Sequence, residues 1–191
     1  LQRRVQGGAL HVECAILYRT NAQSRALEEA LRRAGVPYRI VGSISFYDRR
    51  EVKDLLAYLR LIANPSDDEA FIRAVGVPRR GIGDSSLTIL AEQARQWNLS
   101  MLATAERAEM ATELRPNLRA ALAGFAAQVN DVRARVGESA PVLVMEELLR
   151  VLDYEKLLLA EGPEGADRWD NVRAMVAGAA EWSEVISESD E

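Results

Sequence analysis

Downstream of Gly42 the apolar residues recur every three or four positions, and this helical periodicity constrains the fold of the 191-residue chain more than any other feature. This part of the chain is therefore predicted to be all-helical, with enough apolar residues for its own core. The helix over 117–136 is expected to turn Leu118, Leu122, Phe125, Val129 and Val132 toward that core. The other helices are predicted at 49–63, 67–75, 85–97, shortly after Ser100, at 141–152, 155–160 and 167–185.

The boundaries of these helices follow from capping and breaking residues. Asn64-Pro65 is predicted to end the first helix, Ser66 to cap the second, and the segment from Gly162 to Gly165 to separate the last two. The first helix is expected to bury one apolar face, made of Val52, Leu55, Leu56, Leu59 and Ile62.

Upstream of Gly42 the pattern changes to strand, helix, strand. Residues 14–18 form an apolar run, 22–34 have helical spacing, Gly35 suits the end of a helix, and 36–41 alternate. These features predict a βαβ unit with a parallel sheet. Two parallel strands are not stable alone in water, so further strands are expected outside the chain. The predicted fold class is mainly α, with residues 1–41 as a short βαβ segment and 42–191 as a helical domain that is incomplete at its C-terminal end.

The composition limits the location and the chemistry of the chain. Cys14 is the single cysteine, which excludes an intramolecular disulfide and a multi-cysteine zinc site. Neither a signal peptide nor an apolar span of membrane length is present, so we expect a reducing, cytoplasmic setting without a membrane partner. The chain starts at Leu1 without Met and stops in the acidic run 183–191, which suggests a piece of a longer protein.

The net charge of −5 is unevenly distributed. Residues 1–80 carry 14 Lys/Arg against 9 Asp/Glu, a balance of +5, whereas residues 81–191 carry 10 against 20, a balance of −10. This asymmetry favours contact between a polyanion and the first half of the chain. Solvated helix faces would give the same distribution, so charge alone does not decide between the two.

A polar cluster directly follows the first predicted strand, where ligands bind in α/β proteins. Arg19, Thr20 and Asn21 lie in it, just before the helix. Free N–H groups at the helix N-terminus, together with Arg19 and Asn21, would suit a phosphate of single-stranded DNA. In the structural alternative, Asn21 caps the helix and Arg25 forms a surface ion pair.

A second candidate site is the loop Arg79-Arg80-Gly81-Ile82-Gly83-Asp84-Ser85-Ser86. Glycines two residues apart allow close approach of the backbone, and a helix begins directly after them. Arg79 and Arg80 supply positive charge, Ile82 packs the loop, and Ser85 or Ser86 can cap the helix or donate to a phosphate. Such a loop suits sequence-independent contact with a duplex backbone. The structural alternative is a tight turn between helices with Asp84 as the cap.

The sequence lacks the parts of an ATPase active site. It has no Gly-x-x-x-x-Gly-Lys-Ser/Thr motif and no Asp-Glu pair after an apolar strand that would suit magnesium. We therefore assign no catalytic residue, metal site or cofactor to the chain, and expect it alone not to hydrolyse ATP.

In their residues and their order, both sites resemble the UvrD/PcrA/Rep-type superfamily 1 DNA helicases, closely over residues 12–100 and loosely beyond. The resemblance implies that residues 1–41 are part of the RecA-like domain 2A and that 42–191 are most of the inserted helical domain 2B. It assigns single-stranded DNA binding to Arg19, Thr20 and Asn21, and duplex binding to Arg79, Arg80, Gly81, Ile82, Gly83, Ser85 and Ser86.

The resemblance also implies an ATP-dependent 3′–5′ helicase as the full-length protein, with ATP and Mg²⁺ bound by parts absent from this chain. Its DNA partner would be a duplex with a 3′ single-stranded tail, and repair proteins are further candidate partners. Domain 2B swings relative to 2A in this family, and the small residues Gly42 and Ser43 are the hinge candidates.

Two other functions stay open at the level of sequence. The chain would serve as a stand-alone helical adaptor if its acidic half bound a protein, although an adaptor would have no reason to keep the βαβ unit. A recombination helicase–nuclease subunit of the same superfamily would differ only by a nuclease motif outside the chain.

Overall fold

The computed structural model describes residue 10 and residues 14–18, 23–40, 45–136 and 139–189, with side chains up to residue 181. The chain divides into two compact units, 1–49 and 50–191. The described residues form nine α-helices and two short 3₁₀ turns, at Phe46–Asp48 and Ala108–Met110. The helices are α1 Gln23–Arg33, α2 Arg50–Ala63, α3 Asp68–Val75, α4 Asp84–Trp97, α5 Met101–Glu106, α6 Pro116–Val136, α7 Pro141–Leu152, α8 Tyr154–Leu159 and α9 Pro163–Ser189.

The first unit contains the predicted helix of the βαβ unit. Helix α1 ends as expected at Gly35, which has a φ of +63°, and the Val36 amide donates to the Leu31 carbonyl across the turn. In the sequence, residues 14–18 precede α1 and residues 36–40 follow it. Among the described residues the two segments are not paired as strands. The strands of the unit therefore stay a prediction.

The buried face of α1 is polar. Ser24, Arg25 and Glu28 are buried, whereas the alanines at 26 and 30 are exposed. The Glu28 carboxylate accepts hydrogen bonds from the Ser45 hydroxyl at 2.7 Å and the Phe46 amide at 3.1 Å. Because a buried carboxylate needs such donors, Glu28 fixes the 3₁₀ turn against α1.

The second unit is a helical bundle, as the sequence predicts. Helix α6 carries the predicted core residues, and Leu118, Leu122, Phe125, Val129 and Val132 are all buried. Ser100 caps α5 through its hydroxyl, as expected. At α3 the predicted cap is wrong by one residue: the Asp67 carboxylate, not Ser66, accepts from the Ala70 amide, and its charge also suits the positive end of the helix.

The buried face of α2 is rotated from the predicted one. Val52 and Leu55 are buried as expected, but Tyr58 and Leu61 complete the face, while Leu56, Leu59 and Ile62 are partly exposed. Helix α2 packs against α3, α6 and α9, so it buries residues on more of its circumference than the single apolar face predicted from the sequence.

The predicted break at Gly162–Gly165 is shorter than expected. Only Gly162 leaves the helical conformation, with a φ of +80°, and α9 begins at Pro163. Proline suits a first helical position since its missing N–H would have no partner there. Gly165 lies inside α9, at a point where this helix packs closely against α8. Only glycine fits there, because a Cβ at this position would lie 1.8 Å from the Leu158 carbonyl oxygen. Among the described residues, no helix combines the length and apolarity needed to cross a membrane.

Candidate nucleic-acid interface

The loop that joins α3 to α4 forms the candidate interface, and its two glycines have different conformations. Gly81 has a φ of +73°, a left-handed conformation that other residues adopt only with strain. Gly83 has an extended backbone, with φ −106° and ψ 175°, and occupies the N-cap of α4. A Cβ would meet no atom within 4 Å at either position. The backbone of the loop is therefore surrounded by open space at Gly81 and Gly83, directly before α4 in the sequence.

The N-terminus of α4 is uncapped by any side chain. Gly83 provides none, so the expectations that Asp84, Ser85 or Ser86 would cap the helix are wrong. Within the described part of the chain, the amides of Asp84 and Ser85 donate to no acceptor, whereas the Ser86 amide donates to the Gly83 carbonyl. Ser85 is exposed and Ser86 is buried. Exposed N–H groups at the positive end of a helix are suited to an anion, with the Asp84 carboxylate as the opposing charge.

Arg79 is the cation of the loop that faces solvent. Its side chain is exposed and has no hydrogen bond or ion pair among the described residues. A guanidinium in this state is available to a phosphate without breaking a contact inside the protein.

Arg80, its neighbour, is bonded to the protein instead. Its Nη1 donates to the carbonyls of Val75 at 3.2 Å and Pro78 at 2.9 Å. Its Nη2 donates to the Tyr58 hydroxyl at 3.0 Å and to Gln128 Oε1 at 2.9 Å, and the guanidinium lies 4.9 Å from the centre of a core ring, that of Phe125. The sequence predicts a phosphate contact for both arginines, but it does not indicate this division of environments.

Tyr58 and Gln128 are parts of the site that sequence reasoning missed. The Tyr58 hydroxyl donates to the Val77 carbonyl, and the Gln128 amide donates to the Val151 carbonyl in α7 at 3.4 Å. Burial raises the pKa of the Tyr58 hydroxyl to about 12, against the opposing effect of Arg80. One signal was available: a tyrosine three residues after the core residue Leu55 shares its helix face and needs a partner for its hydroxyl.

A cleft of about 290 Å³ lies beside the loop, between the start of α2 and α8. Its walls combine Arg79 with the apolar side chains of Val77 and Leu158. At its floor Asp54 forms an ion pair of 2.8 Å with Arg73. Burial raises the pKa of the Asp54 carboxyl, and Arg73 opposes that shift. The cleft also contains as many arginine as carboxylate side chains, so it does not form a positive pocket: Arg50, Arg79 and Arg168 against Glu51, Asp54 and Glu161.

The predicted single-stranded DNA site and the hinge lie outside the described residues. This applies to Arg19, Thr20 and Asn21, and to Gly42 and Ser43. The neighbouring Arg25 forms an ion pair of 2.9 Å with Glu29, but Arg25 is buried, so the pair does not lie on the surface as the structural alternative expected. The roles of the five residues themselves stay predictions.

Metal and acid–base chemistry find no support in the described part of the chain. It contains no group of three or more His, Cys, Asp or Glu side chains arranged to hold a metal ion. The carboxylates of the cleft are bonded to arginine or amide groups, as Asp54 is to Arg73 and Glu51 is to Asn171.

Comparisons with a family model and with individual proteins point to the same family. The family model described as the UvrD-like helicase C-terminal domain matches residues 2–183. The chain is 39% identical over 191 residues to DNA helicase II of Escherichia coli (strain K12), an alignment that covers 97% of this chain and 25% of the relative. It is 40% identical over 161 residues to ATP-dependent DNA helicase PcrA of Bacillus subtilis (strain 168), with 84% and 22% covered.

A third relative is a helicase of Mycobacterium tuberculosis. The chain is 36% identical over 173 residues to ATP-dependent DNA helicase UvrD1 of Mycobacterium tuberculosis (strain ATCC 25618 / H37Rv), with 90% of this chain and 22% of the relative covered. The chain thus spans about a quarter of the length of these curated relatives.

Proposed function

Since the chain belongs to the UvrD-like helicase C-terminal domain family, we propose that it supplies a DNA-backbone-binding part of an ATP-dependent 3′–5′ DNA helicase. In this proposal the helical unit holds duplex DNA and regulates its unwinding, while ATP is hydrolysed elsewhere in the full-length protein. The observation that carries it is an exposed, unpaired arginine, Arg79, in the loop that leads to the uncapped N-terminus of α4.

The duplex contact would be made mainly by backbone and by Arg79. The free amides of Asp84 and Ser85 would donate to a phosphate oxygen, and the exposed hydroxyl of Ser85 would add a donor. Gly81 and Gly83 would let the strand approach closely. None of these groups reads bases, so the contact would be independent of sequence.

The other predicted residues of the loop act in support of this contact. Ile82 is partly buried and packs the loop, while Ser86 is buried at the first turn of α4. A phosphate contact by Arg80 remains a prediction, although most of its donors are bonded to the protein.

The first unit is proposed to be a segment of domain 2A and the helical unit most of 2B. Leu17 is 95% exposed and Ile16 is 43% exposed, in a run that the sequence predicts to be a buried strand. Additional strands of a RecA-like sheet would cover these side chains, which supports the proposal. Arg19, Thr20 and Asn21 would then follow a strand of 2A and hold single-stranded DNA, and Gly42 and Ser43 would form the hinge to 2B.

ATP and Mg²⁺ are proposed to bind outside this chain. The sequence has no phosphate-binding glycine loop with a lysine, and the described residues contain no carboxylate cluster for a metal ion. Both would bind to parts of the full-length protein outside the chain, so the isolated chain is proposed to be inactive as an ATPase. Repair proteins remain candidate partners.

The test measures how tightly the chain binds a fluorescently labelled duplex with a 3′ single-stranded tail. The fluorescence anisotropy of the DNA gives the binding constant at each salt concentration of a series. Arg79→Ala should weaken binding and lower the slope of log K against log salt by about one, as expected for one lost phosphate contact. Arg107→Ala is the matched control because Arg107 is also exposed and has no partner among the described residues. A wild-type slope for Arg79→Ala would remove the loop from the DNA interface.

A further inference from the structure

Arg79 and Arg80 are adjacent and equally charged, yet only one of them faces solvent. Arg79 is exposed and has no hydrogen bond or ion pair among the described residues, whereas Arg80 is partly buried against the ring of Phe125. A single type of role does not account for both environments.

Arg80 uses its donors almost completely inside the protein. A guanidinium has five N–H groups, and four of them are directed at Val75, Pro78, Tyr58 and Gln128. A phosphate would have to compete with these acceptors. The side chain is therefore poorly placed as a primary phosphate ligand.

Several acceptors of this network are backbone carbonyls at the end of α3 and the start of the loop. Arg80 binds the carbonyls of Val75 and Pro78, and the Tyr58 hydroxyl binds the carbonyl between them, that of Val77. Three carbonyls within four residues are thus held by two side chains. Gln128 in turn links Arg80 to α6, and through the Val151 carbonyl to α7. The loop is tied to three helices just before Arg79 and Gly81.

We propose that Arg80, together with Tyr58 and Gln128, is a positioning residue for the duplex contact: it fixes the loop so that Arg79 and the N-terminus of α4 face the same DNA strand. This proposal rests on the function proposed above, in which the loop contacts DNA. Arginine is required here because lysine has no planar fork and cannot bind four acceptors in this arrangement.

The experiment separates positioning from direct contact by keeping the charge. Arg80→Lys retains the positive charge but breaks the network, so duplex binding should weaken about five- to ten-fold, the effect of losing one or two hydrogen bonds. The salt slope should stay that of the wild type, since no phosphate contact is lost. Tyr58→Phe should give the same pattern although Tyr58 is buried and cannot reach DNA.

Two matched controls exclude a general loss of stability. Arg133→Lys removes a guanidinium bond of 2.9 Å to the Ile62 carbonyl, away from the loop. Tyr154→Phe removes the hydroxyl of a buried tyrosine, and this hydroxyl has no hydrogen bond to the loop. Both should bind the duplex as the wild type does, at a temperature where circular dichroism shows every variant folded.

The outcomes distinguish the two proposals. If Arg80→Lys and Tyr58→Phe bind as the wild type while Arg80→Ala lowers the salt slope by about one, Arg80 is a phosphate ligand, and the inference is overturned while the proposed function stands. If Arg79→Ala keeps the wild-type slope, the loop does not contact DNA, and both fall together.

Discussion

The side-chain amide of Asn171 in α9 donates a 2.7 Å hydrogen bond to the carboxylate of Glu51 in the first turn of α2, across 120 residues of sequence. Both side chains are buried, with 8% and 5% of their surface exposed. A carboxylate in this position depends on its donors, because a buried charge without hydrogen bonds is strongly disfavoured. The last helix of the bundle is thus joined to its first by a polar contact as well as by packing.

Replacing Asn171 by leucine should destabilise the helical unit. The substitution removes a donor from a buried carboxylate and should lower the free energy of unfolding by about 1–3 kcal/mol. Urea denaturation followed by circular dichroism measures this change. Arg173→Ala, on the exposed side of the same helix, removes only a surface ion pair with Asp170 and should cost about 0.5 kcal/mol or less. Equal stability of the two variants would contradict the role of the Asn171–Glu51 bond.

A pair of helical glycines, Gly165 and Gly124, should respond in opposite directions to alanine. A Cβ at Gly165 would lie 1.8 Å from the Leu158 carbonyl oxygen, so the variant must shift backbone and should lose about 2–3 kcal/mol of stability. A Cβ at Gly124, inside α6, would meet nothing within 4 Å and should add about 1 kcal/mol through its helix propensity. Thermal melting of the two variants tests the pair, and a melting temperature of Gly165→Ala at or above that of the wild type would show that α8 and α9 do not touch at this point.

The helices could be predicted well because their signals are local. The predicted range 141–152 agrees with α7 at both ends, the Gly35 end of α1 is confirmed, and all five predicted core residues of α6 are buried. A single long apolar face, together with the breaking residues at its ends, is enough to define such helices.

The features of the fold that the sequence did not predict correctly depend on contacts between different elements of the fold. The buried face of α2 depends on three neighbouring helices. The sequence predicts a helix break that includes Gly165, because nothing in the sequence shows the contact of this glycine with Leu158. The strands predicted at 14–18 and 36–41 would need partners that the described residues do not provide, so they stay a prediction.

At the site, the positions of the charges could be predicted but not their partners. The sequence located the Gly81–Gly83 loop and its two arginines, and it treated Arg79 and Arg80 alike. The difference between them comes from Tyr58 and Gln128, which lie 22 and 48 residues from Arg80 in the sequence. Hydrogen bonds over such separations leave no periodic pattern, so only the folded chain reveals which arginine is exposed.

Alanine at Gly83 offers a direct test of backbone approach by DNA. Gly83 has an extended backbone and open space around its Cα, so Gly83→Ala should leave the melting temperature nearly unchanged. If a DNA strand lies against this N-terminus, the added methyl group should nevertheless weaken duplex binding several-fold. Gly81→Ala provides the contrast: its φ of +73° should cost about 1–2 kcal/mol of stability as backbone strain. Unchanged duplex binding by Gly83→Ala would mean that DNA does not approach this backbone.

The Tyr58 hydroxyl should make the stability of the helical unit depend on alkaline pH. Its pKa is raised by burial from the usual 10.0 to about 12, so its contribution is fully present below pH 10 and is lost as the pH rises through about 12. In that interval the unfolded chain releases the proton while the folded chain must keep it, because the hydroxyl donates to the Val77 carbonyl. Tyr58→Phe has no such proton, so the stability difference between wild type and variant should narrow from pH 10 to 12. Burial also raises the pKa of the Tyr154 hydroxyl, so Tyr154→Phe should lose the share of the pH dependence that Tyr154 contributes and keep the share that Tyr58 contributes. Urea denaturation at each pH, with phenolate absorbance as the record of titration, measures both. A difference between wild type and Tyr58→Phe that stays constant over this range would show that the hydroxyl is not held in the folded loop.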